Sequence, residues 1–554
     1  MASSSNKKVL IYQVFTRLFG NRNTTRKENG TIAENGCGKF ADFSPTVLTQ
    51  ITSMGITHVW YTGVIRHASQ TIYSEYGIPR QHPAVVKGRA GSPYAITDYY
   101  DVDPDLAVDV PRRMKEFEAL VRRTHAAGLK VIIDFVPNHV ARQYHSISKP
   151  EGVLDLGETD VPEHGFDPQN NFYYCPNQRF TPYFDLYHGE PEPYIEEPAK
   201  ATGNDHFDNA PGQNDWYETV KLNYGVDYYA GRVGHFYPVP NTWLKMTDIL
   251  LFWAAKGIDG FRCDMAEMVP AEFWAYATHV VKEKFPNIVF IGEVYNPGEY
   301  RHYIASGFDW LYDKVGMYDT MRAVITGQKS AQAISWAWQQ TDDIRDHMLY
   351  FLENHDEQRI ASDFFAADAR KGIPAFIATL LMQQNPVMLY AGQEYGERGM
   401  DREGFSGKDG RTTIFDYWSI DTICRASEKR LTDAEKEVLH AYKKAISVAR
   451  RENAVINGYF FDLMYVNQHL TRQYVFLRRA VSDLLLIAVN FDGEPVDISV
   501  TIPTHAFDYL QLKERKAVAT DLLATAKLNL MLVPDSSVNM TIGAYGARVW
   551  KMKA

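Results

Sequence analysis

Three acidic residues in this chain each close a short apolar run: Asp264 in GIDGFRCDM, Glu293 in IVFIGEVY and Asp356 in LYFLENHD. Asn138 and His139 follow a fourth run, KVIIDFV; Arg262 stands two residues before Asp264, and His355 directly before Asp356. One Asp beside one Arg is usually a structural ion pair. Three acids, an arginine and two histidines at the ends of such runs are costly to gather without a chemical task. Retaining glycoside hydrolysis needs such a set. One ionised carboxylate acts as nucleophile and one protonated carboxyl group as acid and later base, about 5 to 5.5 Å apart across the bond. Asp264 and Glu293 meet that requirement. The period of two along a strand turns Arg262 to the same side as Asp264, where a guanidinium would hold the carboxylate ionised and lower its pKa. His139 and His355 are donors for sugar hydroxyls.

Groups at the ends of successive runs meet only if the runs are parallel strands whose ends share one rim. The chain supplies eight: Val9 to Phe15, Thr57 to Val64, Lys130 to Val136, Gly257 to Met265, Ile288 to Tyr295, Trp310 to Val315, Leu349 to Asp356 and Val387 to Gly392. Amphipathic stretches separate them, as over 111–127, where Met114, Phe117, Leu120 and Val121 share a face and Gly128 follows as a helix-ending glycine. This pattern predicts an α/β fold, a (β/α)8 TIM barrel. Roughly 100 residues separate the third strand from a helix at 241–255, far beyond an ordinary loop. They predict an inserted domain over 141–240, with the barrel built from 1–140 and 241–452. Beyond a helix at 433–451, the segments YVFLRRAV, LLLIAVNF, VDISVTI and ARVWKM predict a C-terminal antiparallel β-sandwich over 453–554.

Composition excludes several classes. Hydrophobic residues are 45% and charged residues 23% of 554, the balance of a globular chain rather than a disordered one. The net charge of −10 has no basic cluster, which argues against nucleic acid as partner. No apolar run approaches the roughly 20 residues of a membrane span. The four cysteines lack zinc or redox spacing. Met1 to Lys8 lead into the first strand without an apolar signal region, which predicts a cytoplasmic protein, or a periplasmic or exported one if a signal segment has been replaced.

DFVPNH (134–139), GFRCDMAEM (260–268), FIGEVYN (290–296) and FLENHD (351–356), in that order, resemble the four signature regions of the alpha-amylase family of glycoside hydrolases. VKLNYG (220–225) is similar to a fifth, of the neopullulanase and cyclomaltodextrinase kind. The resemblance implies Asp264 as nucleophile, Glu293 as acid/base and Asp356 as the carboxylate that stabilises the distorted sugar. It implies that Arg262, His139 and His355 hold the sugar before the cleaved bond, that Tyr94 stacks on it and that Arg411 binds it. The substrate would be an α-1,4-linked glucan, starch or a maltooligosaccharide. An α-glucan transglycosylase or a neopullulanase-type activity remains an alternative. A catalytically dead sugar-binding or transport partner is disfavoured by the complete set of acids.

Three positions depart from the family pattern. Glu267 and Met268 replace a Lys-His pair that meets the leaving side of the glucan, and Ser92 and Pro93 replace a histidine upstream of Tyr94. Lys221 stands where relatives with an interdomain calcium place an Asp, which predicts that no calcium binds there. Any bound calcium is instead expected in the loop after the first strand, where Asn21, Asn23 and Asn35 offer hard side-chain oxygens; a solvated, turn-rich loop is the equal alternative. No organic cofactor is expected, and the oligomeric state is not encoded legibly.

Overall fold

The computed structural model describes residues 8–186, 189–399 and 407–554; Met1 to Lys7, the segment ahead of the first strand, lie outside the described residues. Eight parallel strands close into a barrel: β1 (Leu10–Phe15), β2 (His58–Thr62), β3 (Lys130–Phe135), β4 (Gly260–Cys263), β5 (Val289–Gly292), β6 (Trp310–Tyr312), β7 (Met348–Phe351) and β8 (Val387–Tyr390). All eight coincide with the predicted runs. Leu10 pairs with Val387 to complete the ring, and Gly260 pairs with Val289. The runs are continuously apolar because both faces are buried. Ile11, Trp60, Ile132, Ile291, Tyr312, Leu349 and Met388 pack together as one cluster, while the alternate residues join a larger core. The helix Arg113–Ala126 buries Phe117, Leu120 and Val121. It ends where Gly128 takes a φ of 78°, a left-handed conformation that glycine adopts without steric cost.

After β3 the chain leaves the barrel through the strand His139–Ala141 and returns through Thr219–Lys221. The two are antiparallel, with His139 opposite Lys221. Among the described residues between them, the strands Tyr174–Cys175 and Ala199–Lys200 are two residues long. The helix Asn241–Ala255 then leads into β4. In the C-terminal region, a six-stranded antiparallel sheet runs in the order Tyr459–Asp462, Gln473–Ala480, Asp483–Asn490, Ala547–Lys553, Arg515–Asp521, Lys527–Leu532. Val496–Ile502 pairs separately with Ser536–Ile542. The expected sandwich strands are all present, and four more accompany them. Arg478, fully buried, donates to the carbonyls of Met382, Ala454 and Val455, and so ties this sheet to the barrel. Among the described residues no helix is long and apolar enough to cross a membrane.

Candidate active site

A cavity of about 320 Å³ opens at the C-terminal rim of the barrel, and Tyr94, His139, Asp264, Glu293, His355, Asp356 and Arg411 all line it. Arg262 lies beneath, with no exposed surface. Its Nη1 donates to Asp264 Oδ1 at 2.5 Å, its Nη2 lies 2.8 Å from Glu293 Oε2, and its Nε donates to the Tyr312 hydroxyl at 3.2 Å. One guanidinium therefore joins the two carboxylates singled out for chemistry. Met265, directly after Asp264, has a φ of 43°. A non-glycine residue there costs roughly 1–2 kcal/mol, and the turn aims its N–H at Glu293 Oε2, 2.8 Å away.

The histidines are neutral donors rather than cations. Burial, reinforced by Lys221 and Lys87, pushes His139 down to about 3, and burial with Arg262 drives His355 well below its ordinary value. Gln13 Nε2 lies 2.8 Å from His355 Nδ1, an arrangement that directs His355 Nε2 towards the Tyr94 hydroxyl at 2.5 Å and Asp356 Oδ2 at 3.1 Å.

The carboxyl groups correct one expectation. Arg262 does oppose protonation of Asp264, but burial is the larger effect, and the charges of Glu293 and Asp356 add to it, so Asp264 is pushed well above the usual carboxylate range. Burial and Glu293 push Asp356 up to about 7 against Arg262 and Arg411. Asp134, underneath, rises to about 6 through burial. Four carboxyl groups, Asp134, Asp264, Glu293 and Asp356, crowd around one buried cation.

A second buried cation sits nearby. Lys221 Nζ donates to Asn138 Oδ1, lies 2.7 Å from Asp205 Oδ1 and donates to the Met268 carbonyl at 3.3 Å. This oxygen cage already holds a positive charge, so its residues do not fit calcium.

In the loop after β1, the site expected for any bound calcium, the asparagine oxygens already accept backbone N–H groups. Asn21 Oδ1 accepts from the N–H of Asn23, Asn23 Oδ1 from that of Thr25, and Asn35 Oδ1 from that of Lys27. The amide of Asn21 donates to the carbonyls of Asn35 and Trp418, and that of Asn35 to those of Lys27 and Tyr417. The one carboxylate in the loop's short helix, Glu34, is paired with Lys27. These oxygens cap turns, and the amides tie the loop to the rim in the manner expected of a cation.

Other lining residues escape a reading of strand ends. The Tyr295 hydroxyl donates to Glu293 Oε1 at 2.6 Å. Standing two residues beyond Glu293, it was accessible to the same period-two argument that placed Arg262. Glu267 accepts from the N–H groups of Tyr295 and Asn296, both at 3.0 Å, so the departure at this position braces the loop that carries Tyr295. Ser92 accepts from the N–H of Tyr94 at 3.2 Å. Lys87, Trp216 and Glu218 also line the cavity, and no periodicity in their segments marked them. Cys263 is buried, and burial pushes its thiol up, as expected of an inert core cysteine.

A closed parallel barrel whose carboxyl-end rim gathers three acids, an arginine and two neutral histidines in one cavity defines a (β/α)8 glycoside hydrolase. The alpha-amylase catalytic-domain model matches residues 46–445, and the chain belongs to the alpha-amylase family. It is 25% identical over 393 residues to alpha-amylase 3 of Dictyoglomus thermophilum, covering 66% of this chain and 68% of that one. It is 22% identical over 417 residues to neopullulanase 2 of Thermoactinomyces vulgaris, covering 71% and 57%. Among solved structures, a noncanonic maltogenic alpha-amylase, AmyB, from Thermotoga neapolitana superimposes with a TM-score of 0.65 at 19% identity, over 99% of this chain and 100% of the other. At that identity the likeness speaks for the fold alone.

Proposed function

We propose that this chain hydrolyses α-1,4-glucosidic bonds in starch or maltooligosaccharides with retention of configuration. The observation that carries the reading is the pair Asp264 and Glu293 meeting on one guanidinium inside the cavity. Two carboxylates side by side on one planar cation support the close spacing of a retaining pair, about 5–5.5 Å, over the wider gap that an inverting pair leaves for water. Asp264 Oδ attacks the anomeric carbon while Glu293 gives its proton to the departing glycosidic oxygen. The C–O bond to the leaving sugar breaks as the bond to Asp264 forms. Water then attacks the same carbon, Glu293 takes its proton, and Asp264 leaves as carboxylate. Burial favours the neutral form of Asp264, so Arg262 is needed to hold the charge that the attack consumes and the second step restores.

Asp356, hydrogen-bonded through His355 and a third open to the cavity, faces the oxocarbenium-like sugar. The neutral histidines, Tyr94 and Arg411 hold that sugar's hydroxyls and face. Met265 N–H and Tyr295 orient the Glu293 carboxyl between its two proton transfers. The relatives named amylase and neopullulanase support an α-glucan as substrate. Proton NMR of fresh product from maltoheptaose tests the reading. The α-anomer is expected first, and an initial β-anomer would mean direct attack by water. The same reaction mixture, run at high maltotriose, measures how often a sugar hydroxyl replaces water and so decides between hydrolase and transglycosylase.

A further inference from the structure

The cavity has two unlike ends. Glu293, Tyr295 and Met265 form one, where the leaving group departs. Around the other, three segments distant in sequence meet beside the residues that hold the sugar. Trp216 packs on the His139 ring with centroids 5.2 Å apart. Lys87 Nζ lies 2.9 Å from Glu218 Oε2, with the Glu218 side chain buried and that of Lys87 mostly so, and the ammonium is also 5.2 Å from the centre of the Tyr217 ring. The segment carrying Arg411 is stitched to the one carrying Lys87: Ala90 N–H donates to the Phe415 carbonyl at 3.0 Å, and a side chain at Gly88 would run into that same carbonyl. Arg17, buried, clamps the seam by donating to the carbonyls of Ala90 at 2.7 Å, Gly91 at 3.2 Å and Ile414 at 2.7 Å.

Among the described residues Lys87, Trp216, Glu218 and Arg411 to Phe415 of this seam line one wall of the cavity together with Tyr94 and His139. A sugar bonded to Asp264 at its anomeric carbon turns its 4-hydroxyl towards that wall. In the interior of a glucan, that oxygen carries the preceding glucose. The cavity, near the lower end of the about 300–1,000 Å³ typical of ligand pockets, is of a size to enclose a terminal unit rather than a chain passing through.

We propose that the cavity accepts only the non-reducing end of a glucan and that Lys87 and Glu218 read the free hydroxyls of its terminal glucose, which is released singly. This rests on the α-glucan hydrolase reading above. Glu218 Oε2 is buried and, despite the nearby ammonium, accepts no well-directed hydrogen bond, which leaves it an acceptor for a sugar hydroxyl. A buried polar pair that loses its water must be satisfied by the ligand, so a chain end lacking the free hydroxyl is rejected strongly.

The test compares 4-nitrophenyl maltoheptaoside with the same glycoside blocked by a 4,6-O-ethylidene group on its non-reducing glucose, using the unmodified enzyme. The free substrate is expected to shorten by single glucose units, with the blocked one at least about 100-fold slower. Cleavage of both within about threefold, or internal fragments as first products, overturns the proposal and leaves the hydrolase reading standing. Cleavage of neither removes that reading and this proposal with it. Glu218→Gln and Lys87→Met, checked for folding by circular dichroism, should each raise KM for the free substrate at least about tenfold while kcat changes less than about threefold. An unchanged KM in both folded variants would overturn the role given to the pair.

Discussion

Two buried cations, Lys221 and Arg262, stand behind residues that line the cavity, and their surroundings differ in a telling way. Lys221 faces one carboxylate, one amide oxygen and one carbonyl, a cage whose charges cancel. Arg262 faces Asp264 and Glu293 directly, with Asp134 at 3.9 Å and Asp356 close enough to raise Asp264 further. The first arrangement is what a structural cation needs. The second holds more acid than its cation can neutralise, and burial makes the surplus costly. A chain gathers such a surplus where ionised and protonated carboxyl groups must stand side by side, which is the demand of double displacement.

The largest test of that contrast is removal of charge from the crowded cluster. Asp264→Asn and Glu293→Gln should each lower kcat on maltoheptaose by 10³-fold or more, on the order seen for groups that act chemically. Thermal unfolding should occur at the same temperature or slightly higher, because a repulsion is relieved. Retention of more than about a tenth of activity by either variant would remove that residue from its assigned role. Tyr295→Phe, which leaves the carboxyl groups but loses the bond to Glu293 Oε1, should lower kcat by about tenfold and shift the pH–rate profile with KM little changed. A merely packed tyrosine would leave the profile where it was.

The balanced cation should respond in the opposite sense. Lys221→Ala leaves Asn138 Oδ1 and Asp205 facing a void, a loss of about 3 kcal/mol and of several degrees in melting temperature. The emptied cage now consists of oxygens, so millimolar calcium should recover part of that loss in the variant and none in the parent enzyme. If calcium stabilises both equally, the ammonium does not stand where a metal ion would.

The barrel and its catalytic set were legible because each strand is an apolar run that stops at a chemical group, so one period-two argument placed Arg262 with Asp264. Other parts were hidden for physical reasons. Arg515–Asp521 and Lys527–Leu532 bury only alternate or fewer positions and put lysine, threonine and asparagine on the open face, so they read as turns. Lys87 and Glu218 lie 131 positions apart in aperiodic segments, and only the folded rim makes them neighbours. The pKa of Asp264 was misjudged because sequence shows the adjacent arginine but not the depth of burial. Asn21, Asn23 and Asn35 carry the oxygens of a calcium loop, yet the same oxygens cap turns, and residue type alone does not separate the two.

A smaller effect tests the surplus through stability. Asp356 titrates at about 7 in the fold against about 3.9 in an unfolded chain, so the folded state binds more protons between those values. Stability therefore rises as pH falls from above 7 towards 4. Asp356→Asn, which abolishes the charge, should melt higher than the parent at pH 8, by about 1–2 °C since the group is partly open to water. The difference should shrink steadily below pH 7 and vanish only near pH 4, even though activity is lost throughout. Equal melting temperatures at pH 8 would mean the acid surplus costs the fold nothing.

The smallest expected effect is none, and it separates both cages from a metal site at once. The loop after β1 is fastened to the rim by the amides of Asn21 and Asn35 donating to the carbonyls of residues 417 and 418, and the cleft by the ammonium of Lys221. Both fastenings are made by protein donors, so exhaustive chelation should leave melting temperature and maltoheptaose hydrolysis unchanged. Asn35→Ala, in contrast, removes two amide donations and one buried acceptor, each worth about 1 kcal/mol, and should lower the melting temperature by a few degrees with or without calcium. A melting temperature that falls on chelation, returns with calcium and no longer responds in Asn35→Ala would restore the metal to that loop. It would then be a cation, rather than the asparagine amides, that holds the first loop against the wall of the cavity.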